Sequence, residues 1–235
     1  MGLGPATPCG EKASYIVHPN IEYGYKVIRE PFNTYSHLAG VLFALAGTLA
    51  LVLVSGGDIP KLVGALVFGL TMLLMYTSSS LYHALKVPEK VLLALRKLDH
   101  AAIFLFIAGS YTPLLITALD AKLRPWALGV VWGLAVLGVA LKVITLNAPR
   151  WLYTLSYLGL GWLAVFLVPK FDLPASSLVL IAVGGLAYSV GAVVYAIKKP
   201  NPLPGIMGFH GLWHLFVLVG SVSIYAAVLV LYVLR

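Results

Sequence analysis

Seven stretches of about 20 predominantly apolar residues follow one another along this chain, each closed by a short polar or proline-containing break. They cover roughly 33–54, 61–83, 99–119, 125–145, 151–168, 173–197 and 207–234. A stretch of that length is what a helix needs to cross a bilayer. The breaks carry turn chemistry: Ser55-Gly56-Gly57-Asp58, Val87-Pro88-Glu89, Asn147-Ala148-Pro149, Val168-Pro169-Lys170 and Lys199-Pro200-Asn201-Pro202. No break is long enough for a second domain. The pattern predicts an all-α, seven-helix membrane domain over residues 31–235, preceded by an arm of residues 1–30 that ends in an interfacial helix before Pro31. The first apolar run begins only after that polar arm, so no cleavable leader is expected. Within the spans, Gly129 and Gly133 form a G-x-x-x-G pair and Gly184-Gly185 sits mid-helix, both expected at close helix contacts.

Composition agrees with the pattern. Of 235 residues, 60% are hydrophobic and 10% charged, more apolar surface than a soluble domain of this length can hide. The formal charge of +8 would raise nucleic acid as a partner of a soluble protein. Here the basic residues cluster in short segments between spans, and no groove-reading motif or aromatic stacking platform is present, so nucleic acid is excluded. With the N-terminus in the cytoplasm, the inside segments carry Lys12, Lys26, Arg29, Lys86, Lys90, Arg96, Lys97, Lys142, Arg150, Lys198 and Lys199. The outside keeps Lys61, Lys122, Arg124, Lys170 and Arg235. Eleven against five predicts a cytoplasmic N-terminus and an outer C-terminus for a multi-pass protein of the cell membrane. Cys9 is the sole cysteine, which excludes an internal disulfide and a thiolate metal cluster.

The polar residues that interrupt the apolar runs gather at one level. With this orientation His83 ends the second span, Asp99 opens the third, His210 and His214 open the seventh, and His37 opens the first, all near the cytoplasmic boundary. His210 and His214 are four apart, one above the other on a helix. Histidine inside a membrane segment is costly and calls for a reason, and a shared zinc ion is one. His83, His210 and His214 supply three neutral nitrogens, the ligand number of a zinc site that keeps a position open for water. The ion would lower the pKa of that water to about 7. The Glu of an H-E-x-x-H helix is absent, because Gly-Leu-Trp separates the paired histidines. A base must come from another helix: Asp99 could hold the water or bind the metal directly, and Glu30 is the other carboxylate near these ends. Tyr76, Ser79, Ser80 and His83 share one face of the second helix; His214, Val217, Ser221 and Tyr225 share one of the seventh. Such stripes suit a cavity that is polar at its inner end, although Ser79 and Ser80 could equally bond back to helix carbonyls. His100 points about 100° from Asp99 and reads as a packing residue. His37 could reach the metal, but a bond to Asn33 or a loop carbonyl is its expected role. His18, in the arm, reads as solvated.

The motif set resembles one family. Asn33-Thr34-Tyr35-Ser36-His37-Leu38-Ala39-Gly40, Ser79-Ser80-Leu81-Tyr82-His83, Leu98-Asp99-His100, Gly109-Ser110-Tyr111-Thr112-Pro113 and His210-x-x-x-His214 stand in the order seen in the hemolysin III family. That family looks like the bacterial branch of the progestin and adipoQ receptors and is related to alkaline ceramidases. The resemblance covers nearly all of residues 30–234. It implies zinc near the cytoplasmic side, held by His83, His210 and His214, with Asp99 on the zinc water. It also implies that Ser79 assists by hydrogen bonding to that water or to a developing oxyanion. The related ceramidases hydrolyse a lipid amide. The expected function is therefore zinc-dependent hydrolysis of a lipid amide or ester, with a membrane lipid as substrate or ligand. Two alternatives stand beside it: a zinc-stabilised receptor, and a membrane-lysing protein. The apolar outer halves, such as Leu49-Ala50-Leu51-Val52 and Ala227-Val228-Leu229-Val230, argue against an open pore within one chain.

Overall fold

Each apolar stretch forms a helix in the computed structural model, which describes residues 27–144 and 149–235. The helices are α1 (Pro31–Val54), α2 (Ile59–Ala84), α3 (Glu89–Ala118), α4 (Arg124–Ile144), α5 (Arg150–Trp162), α6 (Ala164–Leu167), α7 (Ala175–Ile197) and α8 (Phe209–Leu234). Among the described residues, seven helical segments are long and apolar enough to cross a membrane, the fifth being Trp151–Lys170, built from α5, α6 and a 3₁₀ turn. The fold is therefore the all-α, seven-span membrane architecture that the apolar periodicity predicts. The expected interfacial helix, Cys9, His18, and the Asn147-Ala148 part of one break lie outside the described residues.

The starts and stops follow from local chemistry. Asp58 caps α2 by accepting a hydrogen bond from the Lys61 amide at 3.0 Å. Pro31 and Pro60 stand in the first turns of α1 and α2, where a missing N–H costs nothing. The far end of α2 is closed by the segment before α1. The Arg29 and Glu30 amides donate to the Ala84 and His83 carbonyls at 3.1 and 3.0 Å. The Arg29 guanidinium donates to the Tyr82 carbonyl. Three carbonyls that a helix end leaves bare are thus satisfied, and Glu30 is pinned beside His83.

α3 departs from the expected boundary. It begins at Glu89, ten residues before Asp99, so Asp99 lies inside a helix of 30 residues rather than at its start. The added turns carry Glu89, Lys90, Arg96 and Lys97, whose charge hides the helix from a hydropathy pattern. The fifth span breaks near Leu163. There the Tyr111 hydroxyl accepts from the Ala164 amide at 2.7 Å and lies within bonding reach of the Leu160 carbonyl at 3.0 Å. A side chain from α3 thereby meets backbone groups that the break frees, as a membrane interior requires.

Around the bundle, α1 packs between α2 and α8, α3 packs between α2 and α4, and α7 lies on α8. α5 touches α3, α4 and α7 only lightly. One core, centred on Phe68, Met72, Tyr76 and Leu231, fills the space between α1, α2, α3 and α8. A second, with Phe104, Leu115, Val131 and Leu160, joins α3 to α4 and α5.

The small residues divide into two groups. A Cβ at Gly40 would land on the Tyr76 ring, so glycine is what lets α1 approach α2 there. Gly129 and Gly133 face open space, and the expected intrachain contact at this pair is not made. Gly184 does sit against α8, with a would-be Cβ 3.2 Å from the Gly220 carbonyl, whereas Gly185 is open. Gly40→Leu should destabilise the bundle by about 1–3 kcal/mol through overpacking, and Gly129→Leu should be close to neutral. Thermal unfolding of both variants in detergent checks the contrast.

Candidate metal centre

Three helices deliver the site. His83 comes from the last turn of α2, Asp99 from the third turn of α3, and His210 and His214 from the first turns of α8. One ligand nitrogen from each of His83, His210 and His214 lies within 4.8 Å of the others, close enough to converge on a single ion. The ring centroids stand 5.0 Å (His83–His210), 4.9 Å (His83–His214) and 4.9 Å (His210–His214) apart. His83 and His214 are buried and His210 is half-buried.

Hydrogen bonding fixes which nitrogen His83 and His214 offer. His83 Nδ1 lies 2.7 Å from Glu30 Oε2, and an ionised carboxylate only accepts, so Nδ1 carries the proton. Nε2 then presents its lone pair, and it is buried without a protein partner. His214 Nδ1 lies 3.1 Å from Ser36 Oγ, whose own proton goes to the Asn33 carbonyl at 3.0 Å. Ser36 therefore accepts from Nδ1–H, and His214 Nε2 faces inward. An inner nitrogen for the ion and an outer N–H on a fixed acceptor is the usual dress of metal-binding histidine. The donor set fits a zinc ion: neutral nitrogens, a buried lone pair with no other use, and a carboxylate nearby.

Glu30 is also held by Asn33 Nδ2 at 2.8 Å and by Arg29 at 3.3 Å. Burial raises its pKa, but the hydrogen bonds from His83 and Asn33 and the charge of Arg29 outweigh it and hold it below the ordinary carboxylate range. Its contribution to stability is full above the ordinary value of 4.5 and fades as pH falls through the lowered value. Glu30→Gln should weaken metal affinity by about 10–100-fold while leaving the three ligands in place, measured by competition with a zinc-binding dye.

Asp99 is buried and faces the Ser79 hydroxyl. His100, expected to turn away as a packing residue, instead brings Nε2 to 4.0 Å from Asp99 Oδ2 and lines the same cavity. His37 departs from expectation too. Neither ring nitrogen has a protein partner, so it bonds to neither Asn33 nor a loop carbonyl. Its ring stacks on His214 at 3.7 Å and meets Tyr76 edge-on at 5.1 Å. Ser78 bonds back to the Met75 carbonyl, but Ser80, one residue from Ser79, is buried without a partner. The roles of Glu30 and Ser36 as orienters were readable only weakly: both stand near the expected inner boundary, but nothing in their spacing names His83 and His214 as partners.

A cavity of about 670 Å³ opens from this cluster. Its polar end has His210, His214, Asp99, His100 and Ser79; its other walls include Ile103, Phe106, Leu114, Leu178, Ile181 and Val217. Along α3 it runs from Asp99 to Leu114, about 22 Å at the helical rise.

Two kinds of comparison agree with these motifs. The sequence profile of the family described as "Haemolysin-III related" matches residues 25–225. The chain is 34% identical to the Hemolysin-3 homolog of Bacillus subtilis (strain 168) over 209 residues, 87% of this chain and 95% of that protein. It is also 34% identical to Hemolysin-3 of Bacillus cereus over 207 residues, 86% of this chain and 91% of that one. A membrane-spanning chain with this motif set, matched along most of its length by profile and by whole relatives, belongs to the haemolysin III-related family.

Proposed function

We propose that the chain is a zinc-dependent hydrolase of a lipid amide or ester. The observation that carries this reading is the cavity, an apolar shaft headed by a buried carboxylate and by His210 and His214 of the three-imidazole cluster. His83, His210 and His214 would hold the zinc, which would supply Lewis acidity and make a nearby water more acidic. Asp99 takes a proton from the attacking water on a carboxylate oxygen and returns it to the leaving amine or alcohol. Ser79, beside Asp99, donates its hydroxyl to the oxygen on which negative charge develops. The apolar walls hold the acyl chain in line and exclude bulk water.

The orientation signal puts this chemistry at the cytoplasmic leaflet. Lys142 leaves the count because it is buried against α3 rather than placed in a loop, and ten basic residues against five keep the same sign.

The test is hydrolysis by the purified protein of ceramides, other N-acyl amides and lipid esters. Release of fatty acid that stops on chelation and returns with zinc is expected. Hydrolysis of none of them, or hydrolysis indifferent to chelation, overturns the reading. One observation favours a second reading, a receptor whose zinc is structural: α1 lies between α2 and α8, so the ion would staple two helices across a third. Chelation that lowers the melting temperature while no lipid is ever consumed would support it. Lysis, which the relatives' names invoke, would need a polar path through the bilayer, and the far end of the cavity is walled by Leu114, Leu178 and Ile224.

A further inference from the structure

The inward stripe of α4 is Val131, Ala135, Gly138 and Lys142, at successive helical turns against α3. Three members are apolar, and the fourth is a lysine 1% exposed. It sits two residues from the end of its helix, where a lysine ordinarily snorkels to the headgroups. Lys142 instead turns inward and lines the cavity beside Arg96, Asp99 and His100. Its Nζ lies 3.3 Å from the centroid of the Tyr153 ring. The ring's negative face offsets only part of the cost of burying an ammonium, and it covers only one side of it. Among the described residues Lys142 makes no contact ion pair; Asp99, the sole carboxylate of the cavity wall, attracts it across the cavity but bonds to Ser79 and stands nearest to His100. With neutral histidines the wall carries Lys142 and Arg96 against Asp99, two positive charges to one negative.

We propose that Lys142 makes the polar end of the cavity an anion-recognition site, so that the amphiphile held there carries a carboxylate or a phosphate. The inference rests on the reading of this cavity as the lipid site, not on the metal or on turnover. Of the groups around Lys142 only the Asp99 carboxylate opposes an anion, and the remaining charge and the rings favour one. Arg96, exposed on α3 at the same end, adds a second cation. The Tyr153 ring holds Nζ in place, and Tyr157 from α5 and Tyr195 from α7 line the same region. An anionic oxygen at Nζ makes a charge-assisted bond, and the apolar shaft beyond takes the tail.

The experiment uses the full chain in uncharged detergent with metal chelated throughout. Three brominated probes share one tail: dibromostearate, dibromostearyl phosphate and dibromostearyl alcohol. Trp162 and Trp213 line the cavity, so bound bromine quenches their fluorescence. At least one anion should bind about tenfold more tightly than the alcohol, the difference expected of a charge-assisted bond. Lys142→Met should erase that preference and Lys142→Arg should keep it. A preference for carboxylate alone points to a free acyl acid, and one for phosphate alone to a phosphorylated lipid; both support the inference. Equal binding of anions and alcohol by the unaltered protein overturns it, with no variant needed. A preference that survives in Lys142→Met also overturns it. Quenching by none of the probes would remove the lipid-site reading as well. Absence of hydrolysis leaves the binding result unaffected.

Discussion

Asp99→Asn should leave the zinc content unchanged and lower lipid hydrolysis by about 10²–10⁴-fold, the usual contribution of a positioned acid–base group. The amide has the shape of the carboxylate, so contact with Ser79 and the nearby His100 ring can persist. What it loses is the capacity to accept a proton at neutral pH. The metal ligands lie on α2 and α8 whereas Asp99 lies on α3, and they need no help from it to converge. Metal analysis and turnover must be measured on the same preparation. Loss of zinc in this variant would make Asp99 a ligand. Unaltered turnover would remove it from the reaction.

The second large effect belongs to the ligands. His83→Ala or His214→Ala should take bound zinc from about one ion per chain to almost none. Each also removes a fully buried ring, a truncation that costs about 2–5 kcal/mol, so the melting temperature in detergent should fall by ~5–15 °C. Chelation of the unaltered protein separates the two causes, because it removes the ion and leaves the rings. His37→Ala provides the contrast: it deletes the ring stacked on His214 without deleting a ligand nitrogen. It should lower stability yet retain zinc. Loss of zinc with His37→Ala as complete as with His214→Ala would mean that the stack, rather than the ligand set, governs the site.

Much of the architecture can be read from the chain because hydrocarbon imposes one demand at each level. Backbone groups must pair within the helix, so a span announces itself as a run of apolar residues. The ligand set is legible for a related reason: histidine is rare enough in such runs that three at one depth stand out. Facing is less legible. Lys142 looks like a loop charge because a count by position ignores which side of α4 it occupies, whereas its place in the stripe with Val131, Ala135 and Gly138 buries it. Gly129 and Gly133 have the spacing of a contact and face away from the chain. The start of α3 is hidden by its charges, and His100 turns towards Asp99 by a rotamer that no sequence spacing encodes. Glu30 and Ser36 act through partners 53 and 178 residues away, which a single sequence does not reveal.

The light packing of α5 has a consequence for how such a protein would be assayed. Tyr153, Thr154, Tyr157 and Leu158 form one wall of the cavity, yet the helix that carries them packs only lightly on its neighbours. If the cavity takes a lipid, as proposed, this wall is where one would enter sideways, between helices, without leaving the bilayer. Occupancy would then follow the mole fraction of the lipid within its membrane or micelle rather than its bulk molarity. Adding inert detergent should dilute the reactant within the micelle and slow the reaction, even with the amounts of protein and lipid unchanged.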